Sequence, residues 1–137
     1  MESARRALQD LMTWPGLTAS PARCGTGTAV LADGVEIVHF HSERQADLYL
    51  GRPAIERMGE ELGHSTAVLL VPGSGWVTVL LGGDTDADLV ITLASVARQT
   101  GAHRTAVAGA GAEAGAGVEA EVCNLGHVSI IKAGRVA

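Results

Sequence analysis

Two pairs of apolar runs rich in β-branched residues, each pair joined by a tight-turn sequence, constrain this chain more than any other feature. Thr28–Ala32 and Val35–His41 flank Asp33-Gly34, and Asp-Gly suits the two-residue turns whose twist matches the strands they join. Thr66–Val71 and Trp76–Leu81 flank Pro72-Gly73-Ser74-Gly75. Two hairpins predict an antiparallel sheet of four or more strands. Helical stripes lie around them. Ala4, Leu8, Leu11 and Met12 recur at helical spacing over Glu2–Thr13, and Trp14-Pro15-Gly16 stops that helix. Pro53 opens a second helix with Ile55, Met58 and Leu62 on one stripe, closed by Gly63; Ala46-Asp47-Leu48-Tyr49-Leu50 leads into it. Asp84 or Asp86 caps a third helix over Ala87–Thr100, with Leu89, Leu93, Val96 and Ala97 inward. The expected fold is α+β: an antiparallel sheet of two hairpins with helices packed mainly on one face.

A chain of 137 residues has room for one hydrophobic core. That core is expected within residues 1–104. Residues 105–137 read as an Ala/Gly-rich linker, Ala106–Gly117, followed by two short strands, Val118–Val122 and Val128–Lys132, or a tail. Only Trp14, Phe40, Tyr49 and Trp76 are aromatic, so the core must rest on Ala, Val and Leu, and any aromatic in a pocket is one of these four. The net charge of −5 opposes the phosphate neutralisation that a nucleic-acid partner requires. No apolar run approaches the ~20 residues of a membrane-spanning helix. The N-terminus lacks a signal-peptide pattern, so a cytoplasmic location is expected, with Cys24 and Cys123 as inert free thiols. Exposed sheet edges leave a homodimer open.

The chemistry candidates cluster around His39-Phe40-His41. On a strand, side chains at i and i+2 share a face about 6.6 Å apart, near enough to converge on one metal ion. A third ligand would have to come from His64, Asp47 or Glu43. The alternatives are two neutral, hydrogen-bonded structural imidazoles, or a metal-free catalytic pair, which suits a side chain that titrates near neutrality. Strict alternation places Val35 and Ile37 with the histidines, and Glu36, Val38 and Phe40 on the other face. His64 reads as a polar contact or as a helix C-terminal histidine. Asp47, between apolar neighbours, either orients an imidazole or caps a helix. Gly73-Ser74-Gly75-Trp76 enters a strand rather than a helix, which disfavours a hydrolase elbow and leaves a hairpin loop with Trp76 as a pocket wall.

His39-Phe40-His41, Ala46-Asp47-Leu48, His64 and Pro72-Gly73-Ser74-Gly75-Trp76-Val77, preceded by Trp14-Pro15-Gly16, together resemble the luciferase-domain family. That family includes the fungal luciferases and many bacterial proteins, and the resemblance spans Leu8 to Gln99. In outline the chain is also similar to the YjbR-like α+β domains; the acidic charge argues against the DNA binding suggested for those. The luciferase-domain resemblance implies a small-molecule enzyme of bacterial secondary metabolism, using His-based proton transfer for cofactor-free oxygenation, cyclisation or isomerisation of a polyketide- or pyrone-like substrate. It implies His39 and His41 as base and neighbour, Asp47 as orienting carboxylate, and His64, Ser74 and Trp76 as substrate contacts; Phe40 and Tyr49 join them as candidate substrate-binding aromatics on the residues alone, since Leu48-Tyr49-Leu50-Gly51 departs from the family pattern. No cofactor is expected. The alternatives are a non-catalytic binding module with structural histidines and a mononuclear metal-binding protein through His39 and His41.

Overall fold

A computed structural model describes residues 2–110 and 123–124. Three helices and six strands run in the order α1 (Glu2–Leu11), β1 (Leu17–Pro21), β2 (Thr28–Ala32), β3 (Val35–Ser42), β4 (Gln45–Tyr49), α2 (Arg52–Gly63), β5 (Val68–Leu70), β6 (Trp76–Leu80) and α3 (Asp84–Ala110). The strands form one antiparallel sheet in the order β1-β2-β3-β4-β6-β5. This is the α+β architecture that the two hairpins and three stripes predict.

Pairing register divides the sheet into an apolar face and a polar one. Val30, Val38, Leu48 and Val77 form one cross-strand row, and Phe40, Ala46 and Val79 the next. All are buried with Val90, Leu93, Ala94 and Ala97 of α3, which lies across this face. Small alanines let the helix approach the sheet closely, so a core with few aromatics still closes. α1 packs on α3 and is tied to it by Arg6, which pairs with Asp84 and Asp88. On the opposite face the row reads Ala29, His39, Asp47, Thr78, Leu69.

Three elements differ from the sequence reading. β1 has no strand signal in the sequence, because Leu17 alone of its residues is buried, and Pro21 is tolerated at a sheet edge. Ala46–Tyr49 belongs to a central strand, so Asp47 does not cap a helix. α3 starts at Asp84 and continues to Ala110, through the first residues expected to be linker. Gly101 and Gly109 each cost only about 1 kcal/mol relative to alanine, and the alanines around them are the strongest helix formers. The two strands expected over residues 118–132 lie outside the described residues.

β3 also departs from strict alternation at two places. Val30 pairs with Val38 but Leu31 with Glu36, leaving Ile37 as an extra residue. Phe40 pairs with Ala46 but Ser42 with Gln45, leaving His41 as a second. Such bulges bend a strand and re-aim its side chains. The first carries Glu36 to the histidine face, where it bonds His39.

The turn before β2 is fitted closely against β3. Gly27 has φ +86°, and a Cβ there would collide with the Phe40 carbonyl oxygen, whereas Gly25, also at φ +86°, meets nothing within 4 Å. Gly25→Ala should therefore cost only the positive-φ strain, about 1–2 kcal/mol. Gly27→Ala adds a backbone clash and is expected to cost roughly 3 kcal/mol or more. Urea denaturation of the two variants checks this, and equal losses would contradict the close approach.

Candidate functional site

The polar face carries most of the residues singled out in the sequence. His39, His41 and Asp47 are buried, and Asp47 has no exposed surface. Trp76 lies over the His39 ring with centroids 4.7 Å apart, and Tyr49 meets Trp76 edge-on at 5.4 Å. Ser74 reaches the same face through Asn124. Two candidates lie elsewhere. Phe40 points to the opposite face and sits in the apolar core, where it also lines a hollow beside His41. His64 is the exposed C-cap of α2, its backbone N–H donating to the Glu61 carbonyl while Ser65 N–H donates to that of Leu62. It therefore fits the helix-terminal reading, and among the described contacts none joins it to the histidine pair.

A carboxylate at the centre of a sheet needs donors, because burying an unpaired charge is costly. Asp47 Oδ1 accepts from the Thr78 hydroxyl at 2.6 Å, and Oδ2 accepts from the Asn124 backbone N–H at 2.7 Å. Asn124 is itself fully engaged. Its amide donates to the Trp76 carbonyl and the Thr78 hydroxyl, and its Oδ1 accepts from Ser74 at 2.6 Å. This network docks a C-terminal residue onto β4 and β6, and it brings Cys123 to the histidines.

Cys24 arrives from the other side, on the turn between β1 and β2. Its Sγ is 3.8 Å from His39 Nδ1 and 3.4 Å from His41 Nε2; Cys123 Sγ is 3.5 Å from the same His41 nitrogen. One ligand atom from each of Cys24, His39, His41 and Cys123 lies within 4.8 Å of all the others. The far sides of both rings face carboxylates. His39 Nε2 is 2.7 Å from Glu36 Oε1, and His41 Nδ1 is 3.8 Å from Asp47 Oδ2. His41 Nδ1 is buried without a hydrogen-bond partner.

Neither cysteine was a site candidate in the sequence, and the structure makes both part of the cluster. The four residues span about a hundred positions with no local spacing motif, so only folding joins them. Glu36 was placed on the wrong face by strict alternation, and the extra residue at Ile37 corrects it. Asn124 and Thr78 carried no sequence signal.

Burial pushes the His41 imidazole below its ordinary value, with Asp47 opposing the shift and His39 adding to it. A concave site of about 340 Å³ lies between α1 and the end of β3, lined by Arg5, Leu8, Gly27, Phe40, His41 and Glu43 among others. Of the two histidines only His41 lines it.

Residues 34–97 match the model of the Luciferase domain family. The resemblance carried by the H-x-H strand, Ala46-Asp47-Leu48 and the Pro72–Val77 loop is thereby shown; the Trp14-Pro15-Gly16 turn lies before the matched segment. His39, His41, Asp47 and Glu36 fall inside it, whereas Cys24 and Cys123 fall outside. No curated protein and no solved structure matches the chain. Among the described residues no helix is long and apolar enough to cross a membrane.

Two kinds of outcome follow, the first concerning stability on substitution. Thr78→Val keeps the volume but leaves Asp47 Oδ1 without its donor, and is expected to cost about 1–3 kcal/mol in urea denaturation. His64→Ala should stay within about 0.5 kcal/mol. The second concerns pH. A histidine held neutral in the folded chain binds fewer protons than in the unfolded chain, so stability rises with pH across its titration range. The melting temperature of the metal-free chain should fall as pH drops below about 6.5, the ordinary value for His. His41→Gln should flatten that dependence.

Proposed function

We propose that this chain is a luciferase-domain protein built around a mononuclear metal centre of Cys24, His39, His41 and Cys123. The observation that carries this reading is the convergence of two thiols and two imidazole nitrogens within 4.8 Å of one another. Bonds of about 2.3 Å to sulfur and about 2.0–2.1 Å to nitrogen, at tetrahedral angles, separate a sulfur from a nitrogen by about 3.5 Å. The three sulfur–nitrogen distances of 3.4, 3.5 and 3.8 Å bracket that value.

The donor set selects the metal. Thiolate and imidazole suit Zn²⁺, whereas Mg²⁺ and Ca²⁺ take oxygen ligands. Two thiolates and two neutral imidazoles also cancel the charge of the ion, which a largely buried site requires. Behind the ligands, Glu36 fixes the His39 ring so that Nδ1 faces the ion, and Asp47 faces the Nδ1–H of His41. Carboxylates in that position set the tautomer and raise ligand basicity. Four protein ligands fill a tetrahedron, so the centre fits a structural ion that clips the β1–β2 turn and the Cys123–Asn124 segment to β3.

A second reading is favoured by the family match, since the luciferase domain points to a small-molecule enzyme type. In it His39 and His41 transfer protons, Asp47 orients His41, and a polyketide- or pyrone-like substrate occupies the hollow beside His41 for oxygenation, cyclisation or isomerisation. The hollow is lined by neither His39 nor Asp47, and the ring nitrogens this chemistry needs are those the metal would take.

Titrating the reduced, metal-free protein with Co²⁺ and then Zn²⁺ separates the readings. One equivalent of Co²⁺ should give the intense visible bands and thiolate charge-transfer absorption of tetrahedral coordination, and Zn²⁺ should displace it. Zinc should raise the melting temperature and a chelator lower it again. Glu36→Gln should weaken zinc affinity by about 10–100-fold while leaving the stoichiometry at one. Absence of saturable binding, or binding unchanged by Cys24→Ser, would overturn the metal reading and leave proton transfer standing.

A further inference from the structure

Resting on the metal reading just given, the geometry points to Cys24 and Cys123 as a peroxide-oxidisable pair whose disulfide ejects the ion. We infer this from the unequal placement of two sulfurs around one centre. Cys24 is exposed, and Cys123 is half-buried. Both sulfurs lie against the same nitrogen, His41 Nε2, at 3.4 and 3.5 Å, and their mutual separation is no more than 4.8 Å. A thiolate open to solvent with a second thiolate at its shoulder is the arrangement of a sensor cysteine and its resolving partner.

The two must approach by a few ångströms to reach the roughly 2.05 Å of a disulfide. Cys24 has room to do so. It sits on the turn closed by Gly25 N–H to the Ala22 carbonyl and Ala22 N–H to the Gly27 carbonyl, and the neighbouring Gly25 has nothing within 4 Å of where a Cβ would stand. Cys123 is held by its neighbour Asn124, whose four hydrogen bonds to Asp47, Ser74, Trp76 and Thr78 do not involve the metal ligands. The half-buried thiol therefore keeps its place when the ion leaves, and the exposed one moves.

The oxidant is a hydroperoxide. The Cys24 thiolate attacks one peroxide oxygen; the O–O bond breaks and the departing hydroxide takes a proton from solvent to become water, leaving Cys24 as a sulfenic acid. The Cys123 thiolate then attacks the Cys24 sulfur, the S–S bond forms, the S–O bond breaks and a second protonated hydroxide leaves as water. Two thiolates lose two electrons, hydrogen peroxide gains them, and Zn²⁺ departs with its charge unchanged because it has no redox chemistry here. Two imidazoles alone do not hold it. The disulfide replaces the ion as the clip between the β1–β2 turn and Cys123, and frees His39 and His41.

The test uses the zinc-loaded full chain. Zinc loading is measured first, then hydrogen peroxide is added while released zinc is followed with a chromogenic chelator, free thiols are counted, and peptides are mapped without reduction. One zinc released for two thiols lost, a Cys24–Cys123 disulfide, and re-uptake of zinc after reduction with dithiothreitol are expected. Cys24→Ser, loaded to whatever extent it binds, should release its zinc at least tenfold more slowly per loaded molecule, because only the less accessible sulfur remains. Retention of zinc in peroxide, or release accompanied by sulfinic acid and no disulfide, would overturn the inference while leaving the metal centre intact. Failure to load zinc at all would overturn the metal reading itself, and the inference with it.

Discussion

The buried carboxyl group of Asp47 is the constraint around which the polar face is organised. It stands at the middle of β4, between β3 and β6, where a sheet offers no water. Backbone groups there are already spent on the ladder, so side chains and a distant segment must satisfy it. Thr78, its cross-strand neighbour, supplies one donor, and the Asn124 backbone supplies the other. Asn124 then bonds Trp76 and Ser74, and the residue before it carries the thiol that reaches His41. A single local requirement of desolvation thus fixes where a residue almost eighty positions away must lie.

The four strands of the two hairpins needed little beyond pattern. Asp33-Gly34 takes positive φ at both residues, 52° and 80°, as a two-residue hairpin turn demands, and both hairpins and all three helices follow from their spacing. What alternation could not supply was the pair of extra residues in β3. Without Ile37 as an insertion, Glu36 would face α3 and His39 would lack its carboxylate. Without the irregularity at His41, that ring would be set as its neighbour's equal rather than turned toward both sulfurs. Bulges leave only weak traces in hydrophobic pattern because the added residue changes which side chains share a face without changing the composition of the run.

The matched luciferase-domain segment ends short of both cysteines. The histidines, Asp47 and Glu36 therefore lie within the matched segment, while the thiols that close the cluster come from a turn before it and a segment after it. This divides the site in two: a polar scaffold of rings and carboxylates, and a pair of sulfurs added by the rest of this chain. The two proposed readings, a metal centre and proton transfer, draw on one set of ring nitrogens, and the neighbouring thiols favour the first.

The sequence by itself determined the α+β class, the two hairpins, the common face of His39 and His41, and the resemblance to the Luciferase domain family. Those properties depend on spacings of two to four residues and on turn chemistry, which a linear chain displays. Tertiary structure alone decided that Cys24 and Cys123 meet across the histidines, that Phe40 is core and His64 remote, and that Glu36 stands behind His39. Those properties depend on strand register and on the hydrogen bonds of one buried carboxyl group. Neither leaves a periodic signal in the sequence, because both are fixed by partners that are distant along the chain and adjacent only once it has folded.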